Sequence, residues 1–257
     1  MSLGVVSNFY REKFALPGFL ENASKFFDEI VMISAPPAES EDEECCQMVR
    51  DFGARLVQTT VNGGFGKLRS QCIQESKCDF LMIMDCDERF YPTAPVLQCH
   101  GHEKYPEVQS PNLRVDVLAP SSSVGERLKI LAGTASPDVM AIRMSRRHWF
   151  DAPGSMERPC QNWNDHPDWQ LRCVRNSQFV CFDPSVKLHE RLIYTPTCGE
   201  PKWICAGIDG PTFSHHNHWA KLQEPEQMAE DLKIYEALDY KGTENMWVKT
   251  GFKEGGK

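Results

Sequence analysis

The sequence predicts an α/β fold in which helices flank a mostly parallel β-sheet. In the first third of the chain, short apolar runs alternate with amphipathic stretches of about a dozen residues. Clusters rich in glycine, proline and serine separate several of these segments. Such alternation is typical of βαβ units, whose helices cover both faces of a parallel sheet. With 257 residues, the chain can bury a core of that kind without disulfide bonds.

Four strands and three helices are predicted in this first part of the chain. The strands read LGVVSNF, EIVMIS, ARLVQTT and DFLMIM. The helices between them read PGFLENASKFF, ESEDEECCQMVRDFG and FGKLRSQCIQESK, and a glycine ends the second one. Parallel sheets bind ligands just beyond the carboxyl ends of their strands, so the residues that follow each strand are the first candidates for a site.

The pattern changes after Tyr91. From about 92 to 140 the chain is rich in proline, serine and glycine, which predicts a loop-rich insertion with one helix, SVGERLKILAG. Four strand-like segments follow, reading VMAIRMSRRHWF, DWQLRCVRN, QFVCFDPSVKLHERL and GPTFSHHNHW. The segment EPEQMAEDLKIYEALDY has apolar residues at helical spacing.

Composition narrows the classes of partner. A net charge of -8 argues against nucleic acid, which is held by clustered lysine and arginine. No apolar run is long enough to span a bilayer, and the first residues lack the features of a secretory signal, so a cytoplasmic location is expected. The eleven scattered cysteines include no CxxC pair, which predicts buried reduced thiols rather than a disulfide framework.

Three acids lie within four positions directly after the fourth predicted strand: Asp85, Asp87 and Glu88. In an extended segment, Asp85 and Asp87 would point to one side and Cys86 to the other. Two neighbouring carboxylates either share a proton or hold a divalent cation such as Mg²⁺ or Mn²⁺. A solvated acidic turn is the alternative. Glu88 either orients the shell of such a cation or contacts the ligand, or it is an outward-facing solvated acid.

The order of several segments resembles the nucleotide-sugar domain of GT-A glycosyltransferases of family 2, whose metal-binding DxD follows the fourth strand. These segments are VSNFYRE, DEIVMIS, GGFGKLRSQC and FLMIMDCDERF. The second half is similar to bacterial members related to lipopolysaccharide-core transferases, in the segments HPDWQLRCVRN, VKLHERL and FSHHNHWAKLQEPEQMAEDLKIY. The resemblance implies a Rossmann-like nucleotide-sugar half, residues 1–98, and an α+β acceptor half, residues 99–257, within one continuous domain.

The resemblance implies a metal-dependent inverting transferase. It would move a hexose or similar sugar from a UDP- or GDP-linked donor to a glycan or lipid-linked acceptor, with Mn²⁺ or Mg²⁺ as cofactor. Asp85, Asp87 and His189 are the implied metal ligands, and the ion would bridge the donor diphosphate. Peripheral contact with a membrane is compatible with a lipid-linked acceptor.

The resemblance also implies a set of donor-binding residues, namely Ser7, Asn8, Lys67, Arg69, Asp85 and His215. Lys67 and Arg69 lie near the start of a helix that follows a glycine-rich turn, where basic groups attract phosphate. A glycine-rich turn before an amphipathic helix also needs no ligand. Ser7 and Asn8 end the first strand, and an ordinary turn is the alternative there.

Asp168 matches the acid that precedes the arginine-bearing segment of the family, and is the candidate general base. Asp165 is the alternative base, and a simple capping role for Asp168 remains open. The family has an acid after the second strand that helps to recognise the nucleobase of the donor, whereas this chain has Ser34 and Ala35 there. The identity of the nucleobase is therefore not defined, although Glu39 lies nearby in sequence and is a candidate for this role.

Other functions stay open at this stage. One is a fold relative that binds a nucleotide or sugar without turnover, and another is a sugar nucleotidyltransferase, although its usual glycine-rich signature after the first strand is missing. A zinc site is a further alternative, with ligands drawn from Cys198, Cys205, His216 and His218. Tryptophans either stack on an acceptor sugar or belong to the core; these are Trp149, Trp163, Trp169 and Trp219.

Overall fold

The structure is a computed structural model of the chain. It describes these residues: 1–36, 42–61, 64–90, 124–135, 137, 139–148, 168–183, 192–194, 202–205, 212–215, 223, 229 and 233.

Eleven strands and four helices lie within the described residues. The strands are β1 Leu3–Phe9, β2 Glu29–Ser34, β3 Arg55–Gln58, β4 Phe80–Ile83, β5 Glu88–Phe90, β6 Val139–His148, β7 Asp168–Arg175, β8 Val180–Phe182, β9 Leu192–Tyr194, β10 Lys202–Cys205 and β11 Thr212–His215. The helices are α1 Ala15–Ser24, α2 Glu43–Phe52, α3 Phe65–Glu75 and α4 Val124–Thr134.

Nine of these strands form one sheet in the order β3-β2-β1-β4-β7-β6-β11-β5, with β10 also paired to β6. The pairs among β1 to β4 are all parallel, and β7 then joins β4 in the antiparallel direction. In the parallel part, Val5 pairs with Ile30 on one side and with Met82 on the other. The predicted α/β fold with a mostly parallel sheet flanked by helices is therefore confirmed.

The helices bury apolar residues on both faces of the sheet. Helices α1, α2 and α4 pack on one face, where Phe19, Val49 and Leu128 are buried in a single cluster with β1 and β4. Helix α3 packs on the other face through Leu68 and Ile73. Because helices cover both faces of this parallel sheet, β1 and β4 are buried on both sides, and their sequences are nearly continuous apolar runs.

Strands β5 and β10 lie outside the segments that the sequence predicts as strands, and β5 bears on the site. Only residues 84–87 separate it from β4 in the chain, yet β7, β6 and β11 lie between β4 and β5 in the sheet. The acidic segment therefore runs along the edge of the sheet from β4 to β5. This path places Asp85 and Asp87 at the carboxyl end of the parallel strands.

The remaining predictions have mixed outcomes. Helix α4 forms within the stretch 92–140, and residues 229 and 233 of the last predicted helix are helical, as is residue 223 just before it. In the long strand-like segment that begins at Gln178, the described residues form β8, which pairs with β9 outside the main sheet. Seven described cysteines are free thiols, and six of them are buried, as expected. Within the described part of the chain, no helix is long and apolar enough to cross a membrane.

Candidate functional site

The acids after β4 form a turn rather than an extended segment. The backbone N–H of Glu88 donates to the carbonyl of Asp85 at 2.9 Å, which closes a four-residue turn. The expectation that Asp85 and Asp87 lie on one side of an extended chain is therefore wrong. The reason is topological, because the chain must leave β4 and change direction to reach β5.

Asp85 is held by two arginines. Its Oδ1 accepts a hydrogen bond from Arg69 Nη2 at 2.7 Å, and its Oδ2 lies 3.5 Å from Arg172 Nη2. Desolvation tends to raise the pKa of Asp85, but the attraction of Arg69 and then of Arg172 outweighs it and holds the pKa well below its ordinary value. The carboxylate is thus ionised, and Arg69 and Asp85, both among the predicted donor-binding residues, are in contact.

Glu88 is fully buried beside the guanidinium groups of Arg172, which it shares with Asp85, and of Arg146. Its Oε1 lies 3.3 Å from both Arg146 Nη1 and Arg172 Nη2, and its Oε2 accepts the backbone N–H of Asp85 at 2.8 Å. Burial, opposed by Arg172 and reinforced by the charge of Asp85, raises the pKa of Glu88 to about 7. The alternative of a solvated, outward-facing acid is therefore wrong.

We call Arg69, Arg146 and Arg172 the arginine cluster. Its three positive charges face the carboxylates of Asp85 and Glu88, so the protein itself offsets the repulsion between these acids. Sequence analysis missed the roles of Arg146 and Arg172. Both lie in strand-like segments, and nothing in their spacing indicated that they would meet acids so far away in the chain.

A β-bulge explains how Arg172 reaches the acids. Ile142 and Arg143 are adjacent on β6, but their Cα partners on β7, Cys173 and Leu171, are two positions apart. Arg172 is the extra residue between these partners. Bulges redirect a side chain and increase the local twist of a strand, and they are common next to active sites.

The turn rests on the end of β1. Ser7 is buried, and its Oγ lies 3.4 Å from Cys86 Sγ. The same thiol lies 3.9 Å from the carbonyl oxygen of Asn8. Burial raises the pKa of Cys86 well above its ordinary value, so the thiol stays neutral. Ser7 therefore lies beneath the acidic turn, while Asn8 is half-buried at the strand end.

Three other predicted site residues, Asp168, His215 and Lys67, also lie within the described elements. Asp168 begins β7, and its Cα pairs with that of Arg146. The Cα of His215 pairs with that of Glu88. Lys67 is exposed on α3. The topology thus brings Asp168 and His215 to the strands that surround the acidic turn.

Several predicted residues lie outside the described residues. These are Glu39, Trp149, Trp163, Asp165, His189, Cys198, His216, His218 and Trp219. Their roles as metal ligands, base or stacking platforms remain predictions.

Asp42 is a further residue whose role was not predicted from the sequence. It is buried, and its Oδ2 accepts the backbone N–H of Arg11 at 2.6 Å. The backbone dihedral angle φ of Arg11 is 55°, a left-handed conformation that is uncommon for a residue other than glycine. Asp42 therefore holds the loop after β1 in a strained conformation, at the same sheet edge as the acidic turn. In the sequence it was one of many acids before α2.

The acids present fit a divalent ion that takes most of its ligands from a substrate. Among the described residues, no three His, Cys, Asp or Glu side chains gather as a metal-binding group. Asp87 is half-buried in the turn, and Asp85 is already engaged by arginines. Mg²⁺ is commonly bound by one or two carboxylates together with substrate phosphates and water, which matches this donor set.

Comparison with known proteins gives similarities among solved structures. No protein-family model and no curated protein matches the chain. S. aureus TarS 1-349 in complex with UDP is 12% identical with a TM-score of 0.43, over 80% of this chain and 60% of that one. Glucosyl-3-phosphoglycerate synthase from Mycobacterium tuberculosis, in complex with Mn²⁺, UDP and glucosyl-3-phosphoglycerate, is 13% identical with a TM-score of 0.35, over 58% of this chain and 44% of that one. The chain thus spans less than two thirds of either structure.

Proposed function

We propose that the protein is an inverting, metal-dependent glycosyltransferase of family 2 type. It transfers a sugar from a UDP- or GDP-linked donor to a glycan or lipid-linked acceptor. The observation that supports this proposal is the acidic turn at the carboxyl edge of a parallel sheet, lined by the arginine cluster. Such an edge is where open α/β sheets bind their ligands.

The side chains of the turn have separable tasks in this proposal. Asp87, with Asp85, would hold a Mn²⁺ or Mg²⁺ ion, and His189 is a proposed third ligand. The ion supplies Lewis-acid stabilisation of the departing nucleoside diphosphate. Arg69 keeps Asp85 ionised and contributes positive charge on the side where the phosphates bind.

The remaining donor contacts are proposed for the ends of the neighbouring strands. Asn8 is the last residue but one of β1, and Lys67 lies in the first turn of α3, where a helix N-terminus favours anions. His215 lies next to Glu88 across the β11–β5 pair. Ser7 contributes through the support it gives to Cys86.

Asp168 is the proposed general base. It removes the proton of the acceptor hydroxyl as the oxygen attacks the anomeric carbon opposite the leaving group. Its position at the first residue of β7, paired with Arg146, supports this role. Asp168→Asn should lower kcat for transfer while donor binding is retained.

The decisive experiment is donor hydrolysis or transfer with Mn²⁺, using UDP- and GDP-sugars. Asp87→Asn should lower the rate at least about a hundredfold, because a loss of ~3 kcal/mol of transition-state stabilisation has that effect. Asp79→Asn is the matched control, since Asp79 precedes the same strand β4 at the opposite edge. Equal activity of wild type and Asp87→Asn would remove the metal role.

A second candidate is a protein that binds a nucleotide or sugar without turnover. The observation that favours it is the burial of Ser34 and Ala35, which stand where the family has a base-recognising acid. Calorimetry distinguishes the two candidates. Tight, metal-dependent nucleotide binding without hydrolysis of any donor would favour the binding protein.

A further inference from the structure

Arg89 is a buried arginine on β5, directly after the acidic turn. It is only 6% exposed, and its guanidinium donates to the carbonyl oxygens of three residues in two separate parts of the chain. Nη1 donates to Cys86 at 2.5 Å and to Glu88 at 2.8 Å, and Nη2 donates to Ala15 at 2.7 Å. One side chain therefore joins the acidic turn to the first turn of α1.

The contact with Cys86 lies at the centre of the acidic turn. The carbonyl of Cys86 belongs to the peptide group that joins Cys86 to Asp87, so fixing it orients the backbone that leads into Asp87. The second contact, with the carbonyl of Glu88, fixes the end of the turn whose N–H donates to Asp85. The Cys86 side chain packs against Ser7 and Asn8 on β1. The turn is thus supported from two sides, by the end of β1 and by the guanidinium of Arg89.

Helix α1 makes room for this guanidinium at Gly18. A Cβ atom on Gly18 would lie 3.1 Å from Arg89 Nη2, closer than most such contacts. Further along the helix, the amide of Asn22 donates to the carbonyl of Phe90 at 3.0 Å and accepts its N–H at 2.8 Å. Helix α1 therefore holds the strand that follows the turn at two successive residues.

We propose that Arg89 is a positioning residue that sets the placement of Asp85 and Asp87 for the donor and its metal ion, and that Gly18 is needed for this role. The inference rests on the proposed function of the same site. Arginine suits the task because its planar group has five donors in fixed directions, whereas lysine cannot reproduce contacts to separate carbonyls. Displacing catalytic groups by about 1 Å can cost roughly a hundredfold in rate.

The test uses three variants and two measurements. Arg89→Lys keeps the charge but loses the fixed geometry, and Gly18→Ala displaces an unchanged Arg89. Gly133→Ala is the matched control, because it is also a helical glycine and its Cβ would meet nothing within 4 Å. Urea unfolding first establishes that each variant is folded at the temperature of the assays.

The first measurement does not depend on activity. It is amide hydrogen exchange at Glu88, whose N–H donates to Asp85 within the turn. Exchange at this amide should accelerate about tenfold in Arg89→Lys and Gly18→Ala, relative to amides in β4, and should not change in Gly133→Ala. The second is the Mn²⁺ concentration that gives half-maximal donor hydrolysis, which should rise about tenfold in the same two variants.

The outcomes separate the inference from the function on which it rests. Folded Arg89→Lys and Gly18→Ala proteins with wild-type exchange at Glu88 would overturn the positioning role. The positioning role would also be overturned if exchange at Glu88 accelerates in these variants but the half-saturating Mn²⁺ concentration is unchanged, since Arg89 would then be structural only. If wild type hydrolyses no donor, the proposed function fails, and exchange alone decides whether Arg89 fixes the turn.

Discussion

The two ends of β4 carry aspartates that behave in opposite ways. Asp79, just before the strand, accepts the backbone N–H of Ser2 at 2.7 Å and its hydroxyl at 3.1 Å. Asp85, just after the strand, faces Arg69 and Arg172 and lies in a turn with two further acids. The same residue type thus secures the backbone at one edge of the sheet and builds a charged site at the other.

Two acids at the amino end of β2 also bind backbone or hydroxyl donors, as Asp79 does. Asp28 accepts the backbone N–H of Leu3 at 2.9 Å and pairs with Lys129. Glu29 accepts the hydroxyl of Ser76 at 2.5 Å and the N–H of Lys77 at 2.9 Å. These acids satisfy backbone and hydroxyl donors near strand ends, which is a structural task.

The contrast between the two edges of the sheet indicates which of the many acids are candidates for a functional role. At the amino edge each carboxylate has its own local donors. At the carboxyl edge the carboxylates are gathered together, and side chains from β6, β7 and α3 are needed to offset their charge. Gathering like charges at a sheet edge opposes stability, and such local conflicts are expected at functional sites.

The largest expected effect comes from removing Arg172. Arg172→Met should lower the free energy of unfolding by about 3 kcal/mol, because it leaves Asp85 and the buried Glu88 without a shared cation. At the amino edge, Arg55→Met removes an ion pair of a side chain that is 41% exposed, and about 0.5 kcal/mol is expected. Urea unfolding of both variants checks the comparison, and equal losses would contradict it.

The two aspartates that bracket β4 should also differ in their contribution to stability. Asp85→Asn should lower the free energy of unfolding by about 2 kcal/mol, because Arg69 is buried and loses its charged partner. Asp79→Asn removes hydrogen bonds at an exposed site and should lower it by less than about 1 kcal/mol. If Asp79→Asn loses more unfolding free energy than Asp85→Asn, the comparison is contradicted, and the stability of the arginine cluster does not depend on Asp85.

Metal binding should depend on the nucleotide. Since arginines already engage Asp85 and Glu88, Mn²⁺ alone should bind weakly, and UDP or GDP should raise its affinity about tenfold, or ~1.4 kcal/mol. Calorimetric titration of Mn²⁺ with and without nucleotide measures this coupling. Equal affinities would mean that the protein side chains form a complete metal site by themselves.

The smallest effect concerns pH and the amino edge. Burial tends to raise the pKa of Glu29, but hydrogen bonds from Ser76 and Lys77 outweigh it, and the folded pKa lies below the ordinary 4.5. A lowered carboxyl pKa adds stability above pH 4.5, and this stability is lost as the pH falls through the folded pKa. Glu29→Gln should therefore be about 1 kcal/mol less stable than wild type at pH 7.

Unfolding of wild type and Glu29→Gln in urea at pH 7 and pH 3 checks this sign. The difference between the two proteins should narrow at pH 3, where the wild-type carboxylate is losing its charge. A difference that widens on acidification would contradict the assignment of Glu29 to the amino-edge hydrogen bonds.

The parallel part of the fold was predictable because it depends on local patterns. Strands β1 to β4 are apolar runs, and α1 to α3 are amphipathic stretches of ordinary length, so each element could be read from its own residues. The position of Asp85 at a ligand-binding edge followed from the same pattern.

The contents of the site depend on pairings between distant residues and were not predictable. Glu88 is separated from Arg146 by 58 positions and from Arg172 by 84. Its burial therefore depends on where β6 and β7 pack, and no property of the sequence around Glu88 indicates it. The extended conformation expected at Asp87 failed for the same reason, because the direction of the turn is set by the pairing of β5 with β11.

The pairing of β5 with β11 also has a consequence for folding. Strands β1 to β4 come from the first part of the chain and can associate while the rest is being synthesised. The strand that follows the acidic turn finds its partner only when Phe213 and its neighbours have emerged. The pairing that follows the acidic turn is therefore among the last features to form, and a fragment that ends before β11 would have the parallel strands without this pairing.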